Sequence, residues 1–70
     1  MARLESGSID WYKYTEKADK IYRKYVEART EDEKNIWRDQ ADTLINVMMS
    51  KYGNDSNVNY IIDKYYLERL

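Results

Sequence analysis

Apolar residues recur at three- and four-residue steps in three successive segments, separated by short polar stretches rich in cap residues. That period belongs to amphipathic helices. Trp11, Tyr14, Ala18, Ile21, Tyr22, Tyr25 and Ala28 form the first stripe. They predict a helix over about 10–28, capped by Ser8 or Asp10. Trp37, Ala41, Leu44, Ile45, Met48 and Tyr52 form the second, over about 31–52, with Ile36 and Val47 on one flank and Met49 on the other. An apolar arc this wide suits a central helix that touches two neighbours. The third segment, about 57–69, has an inner stripe of Val58, Ile61, Ile62, Tyr65 and Tyr66. Tyr60, Leu67 and Leu70 lie elsewhere around it, so this helix is apolar nearly all the way round and wants more than one neighbour.

The breaks between segments carry their own chemistry. Thr30-Glu31-Asp32-Glu33 reads as a capping box: Thr30 accepts from the Glu33 amide, and the Glu33 carboxylate reaches back to the amide of Thr30. Gly53 stands where a chain leaves a helix in left-handed geometry. Asn54 to Asn57 supply the second turn, and residues 1–8 read as a flexible N-terminus. Pro is absent, and no segment alternates apolar and polar with the period of a strand. The expected fold is all-α: a single small three-helix domain over 9–70, an antiparallel hairpin plus a shorter C-terminal helix. Its expected core is Trp11, Ala18, Ile21, Tyr25, Trp37, Leu44, Met48, Val58, Ile61 and Tyr65.

Composition sharpens this picture. One core in a chain of 70 residues rarely supplies more than about 3–5 kcal/mol of net stability. With no Cys and no His, disulfides and the usual zinc ligands are unavailable, and association is the staple that remains. A homodimer is therefore expected. No run of about 20 apolar residues is present to span a membrane, and Met1 to Ser8 lacks the apolar run of a secretory signal, so a cytoplasmic location is expected. The formal charge of −1 argues against non-specific nucleic-acid binding. The first helical region is mildly basic and the second mildly acidic.

Candidate chemistry is sparse. Without His or Cys the usual bases and nucleophiles are missing, and two glycines cannot build a phosphate cradle. The chain reads as non-enzymatic, with no cofactor and no metal. Asp55-Ser56-Asn57-Val58-Asn59 opens like a calcium loop, but Tyr60 and Tyr66 stand where that loop needs Gly and a bidentate Glu. Asp55 and Asn57 read better as turn and cap residues. Asp39 and Asp42, with Asp32 nearby, read as solvated charge.

What remains is binding. The expected function is regulation or inhibition of a partner protein by docking an apolar and aromatic helical face made of Tyr60, Tyr66, Leu67, Leu70 and Met49. The single-domain format is shared by small phage and mobile-element accessory proteins, an analogy of format only. Lys13, Lys17, Lys20 and Lys24 form one row along the first helix. That row reads as a solvated face, or as a contact for nucleic acid or an acidic partner. Gly53 with Asn57, Asn59, Tyr60 and Lys64 gives a weak helix-turn-helix reading. A structural subunit of a larger assembly is a third alternative.

Overall fold

The computed structural model describes residues 3–70, so Met1 and Ala2 of the expected flexible segment lie outside the described residues. Three helices follow one another: α1 (Ile9–Glu27), α2 (Glu31–Tyr52) and α3 (Ser56–Lys64). No strand occurs among the described residues. The Ser8 hydroxyl opens α1 by accepting from the Trp11 amide. Thr30 opens α2, accepting from the Glu33 amide at 3.2 Å. The Glu33 carboxylate reaches back one residue further than expected and accepts from the Arg29 amide at 3.1 Å.

The short turn at 28–30 makes α1 and α2 an antiparallel hairpin. Side chains pair along its length. Asp10 meets Lys51 near one end, Tyr14 packs edge-on against Tyr52, and Arg38 donates to the Tyr25 hydroxyl near the other. Gly53 then turns the chain with a φ of 67°, and its amide donates to the Met49 carbonyl. The third helix packs on both members of the hairpin.

The core is wholly apolar among the described residues. Ala18 and Ile21 of α1, Ala41, Leu44 and Met48 of α2, and Val58, Ile61 and Ile62 of α3 fill it. Of the expected core, Trp11, Tyr25, Trp37 and Tyr65 are only half-buried. Tyr25 accepts from Arg38 through its hydroxyl, whereas the Trp11 indole nitrogen is buried with no hydrogen-bond partner among the described residues.

Two departures from expectation close the core at its ends. Leu4, in the segment expected to be flexible, is 1 % exposed. Its amide donates to the Asp55 carboxylate and its carbonyl accepts from the Asn57 side chain at 2.7 Å. Both backbone groups are thereby satisfied, which lets the leucine be buried. Gly7, at φ 83°, turns the chain from Leu4 into α1, with the Ser8 amide donating to the Glu5 carbonyl.

The second departure is the end of α3. The helix stops at Lys64 rather than near residue 69. The Tyr66 amide donates to the Asp63 carbonyl and the Leu67 amide to the Ile62 carbonyl, with Tyr66 at φ 56°. This is the bond pattern of a Schellman motif, whose left-handed position is usually glycine. The reversal drives Leu67 inward to 2 % exposure, beside buried Ile62 in the same core. Leu67 therefore belongs to the fold, and Leu70, half-buried, packs against the same cluster.

Candidate functional site

Because Leu67 and Leu70 are occupied by their own protomer, the five residues expected to form one docking face are not gathered into one. Met49 is half-buried against the core. Tyr60 is 50 % exposed, with the Lys64 ammonium 5.7 Å from its ring centre. Tyr66 sits elsewhere, its ring 5.7 Å from that of Tyr22 on α1. Val26, one turn beyond Tyr22 on α1, is 63 % exposed. Tyr22, Val26 and Tyr66 thus make an aromatic and aliphatic surface built jointly by α1 and the C-terminal turn. Sequence reading missed the contribution of α1, because Tyr22 was assigned to the inner stripe and Val26 to no stripe.

Tyr66 is the unusual member. A non-glycine residue in left-handed geometry costs on the order of 1–2 kcal/mol. Glycine at that position would make the same turn without that strain. Tyr66 nevertheless holds it and projects a half-exposed ring. Residues with a strained backbone of this kind cluster at functional sites.

A second surface lies on the opposite side of α1. Lys13, Lys17 and Lys20 line a groove with Glu16, Ile21, Trp37 and Gln40, and Lys24 continues the row one turn further. Among the described residues none of these four lysines forms an ion pair; the pairs present are Arg23–Asp19, Arg38–Glu31 and Lys51–Asp10. The Trp37 ring is half-buried in the groove.

Near one end of the hairpin, the Asp10 carboxylate accepts from the Lys51 ammonium at 2.6 Å and from the Tyr52 hydroxyl. The Lys51 hydrogen bond, then that of Tyr52, holds the Asp10 carboxyl below its ordinary range. Asp10 in turn raises Lys51 and Tyr52 above theirs. A lowered carboxyl stabilises the fold above its unfolded value and loses that contribution as pH falls through the folded value. The raised Lys51 and Tyr52 act in the other direction, contributing at neutral pH and losing it as pH rises past about 10. Asp10→Asn is therefore expected to melt below the parent at pH 7. The gap should narrow as pH falls through the lowered Asp10 value and again as pH rises past the ordinary values of lysine and tyrosine. Thermal melts across that range check this; a gap independent of pH would contradict it.

The Asp55 carboxylate accepts from the Asn57 and Val58 amides as the cap of α3, and from the Leu4 amide. These bonds make it a cap and a tie for the N-terminal segment. Asp39 and Asp42 are exposed on α2. No helix among the described residues is long and apolar enough to cross a membrane. We find no family model, curated protein or solved structure that matches this chain.

Proposed function

We propose that this is a non-enzymatic protein that regulates or inhibits a partner protein by docking the surface formed by Tyr22, Val26 and Tyr66. The observation that carries the reading is Tyr66 itself. A tyrosine kept at the left-handed position of a Schellman motif, with its ring half exposed, holds strain that glycine would relieve. Tyrosine is also a favoured interface residue, since it buries a large ring at low entropic cost and tolerates water at its hydroxyl.

One substitution separates function from fold. Tyr66→Gly removes the ring and the strain together, while giving up the contact with Tyr22. Its stability is expected to stay within about 1 kcal/mol of the parent, a shift of no more than about 8 °C in Tm for a domain of this size. Retention of the partner from the source cell's extract should fall at least tenfold. Val26→Glu, already exposed, should lose the same partner with an unchanged melt. Retention of one and the same partner by both variants would sink the proposal.

The nucleic-acid alternative for the lysine row has less support. Exposed Asp39 and Asp42 lie on the neighbouring helix, and the chain as a whole has no basic excess.

A further inference from the structure

The lysine groove and the outer surface of α2 form one continuous face with a particular charge order. Ile36, Gln40, Thr43, Val47 and Ser50 succeed one another at four-, three-, four- and three-residue steps, so they make a single ridge along α2. All five are exposed, Ile36 at 56 % and Val47 at 46 %, and none is charged. Trp37 and Lys51, each one residue past a ridge position, mark the edge that meets α1. Asp39 and Asp42, each one residue before a ridge position, lie on the edge away from α1. Across the face the order is therefore a lysine row on α1, interrupted by Glu16, the groove over Trp37, a neutral ridge on α2, and an aspartate row.

We infer that this face binds a second copy of the chain. Two dyads lying in the plane of the face can bring it onto itself. The dyad across the helices sets lysine row on lysine row, which is repulsive. The dyad along the helices sets each lysine row against the other copy's aspartate row, with the neutral ridge of each opposite the groove of its mate. The spacing matches as well. Lys17, Lys20 and Gln40 line the same groove, so this part of the lysine row runs beside the part of α2 that carries Asp39 and Asp42. Lys17 is three residues before Lys20, and Asp42 three residues after Asp39. In antiparallel helices those steps run the same way, each about 4.5 Å. The Lys17–Lys20 stretch of each copy thus faces the Asp39–Asp42 stretch of its mate, twice per dimer.

The size of the molecule supports use of the whole face. The longest Cα extent is 39 Å, and in so small a molecule only a face running the length of the hairpin can approach the area of a standard interface, about 800 Å² per partner. A single exposed residue such as Tyr60 offers far less. This inference does not depend on the partner reading of Tyr66, which lies on a different surface.

Charge exchange tests it on the full-length chain. Lys17→Glu with Lys20→Glu, and Asp39→Lys with Asp42→Lys, alter exposed side chains that make no hydrogen bond or ion pair among the described residues, so circular dichroism should show both variants folded. By sedimentation equilibrium the parent should dimerise, with a Kd that rises with salt. Each variant alone should dimerise at least tenfold more weakly, because every facing pair becomes like-charged. An equimolar mixture of the two should recover a heterodimer within a few-fold of the parent Kd, because every facing pair is again opposite. A parent that stays monomeric to millimolar concentration at low salt would overturn the inference. So would variants that dimerise as well as the parent, or a mixture that recovers nothing. If the parent were monomeric and only the lysine variant lost affinity for a single-stranded oligonucleotide, the row would belong to nucleic acid instead.

Discussion

Leu44→Ala is expected to leave the protein largely unfolded at room temperature. Leu44 lies midway along α2 at 2 % exposure. Truncation there removes buried methyl groups and leaves a cavity, a loss of about 2–5 kcal/mol. A single core in a chain this short rarely supplies more than about 3–5 kcal/mol, so the variant has little left. A melt followed by circular dichroism should show Tm lowered by more than about 10 °C, or no cooperative transition at all. A parent-like melt would contradict the placement of Leu44 at the centre of the core. Trp37→Ala, which the sequence alone ranks equally, should cost less, because half-buried Trp37 faces the groove between Lys17 and Gln40.

Leu67→Asp is the second large effect, and it separates two views of the C-terminal turn. Leu67 is 2 % exposed, and its amide is committed to the Ile62 carbonyl. A carboxylate there has no partner, and burying it unpaired is far costlier than losing a methyl contact. The variant should fail to fold, while Leu67→Ala should melt measurably below the parent, by about 2 kcal/mol or more. Glu68→Ala, exposed on the same turn, should stay within about 0.5 kcal/mol. Were Leu67 a docking residue, Leu67→Asp would keep the parent's melt and lose only a partner. Comparing the three melts decides between the two.

Helix positions were legible in the sequence because their signals are local. The apolar period of α1 and α2, the Thr30 hydroxyl and Gly53 set boundaries within a residue or so of those observed. The end of α3 was not legible. The spacing of Tyr65, Tyr66, Leu67 and Leu70 suits a continuing helix, and no glycine marks the reversal at Tyr66. Only the left-handed backbone at Tyr66 shows that Leu67 turns inward. Leu4 was invisible for the opposite reason: one apolar residue among polar ones has no period, and its burial depends on Asp55 and Asn57, some fifty residues away in sequence.

The candidate surfaces divide in the same way. The lysine row of α1 and the aspartates of α2 were readable alone, whereas of the ridge on α2 only Ile36 and Val47 stood out, as a flank of the inner stripe. Which rows share a face depends on how α1 and α2 pack, and that comes from Asp10–Lys51 and Arg38–Tyr25 as much as from the stripes. Pairing of Tyr22 with Tyr66 likewise depends on the C-terminal turn folding back on α1. Sequence therefore supplied the helices and the charged rows, and tertiary packing supplied the faces.

The surface assigned to Tyr66 depends on one claim, that the C-terminal leucine is inside and the α1 valine outside. Methyl NMR with a soluble paramagnetic agent measures this directly. Leu67 methyl signals should be as protected as those of Ile61, while Val26 signals broaden strongly. Broadening of Leu67 to the same degree as Val26 would show the turn open and would contradict both the fold of the C-terminus and the surface assigned to Tyr66.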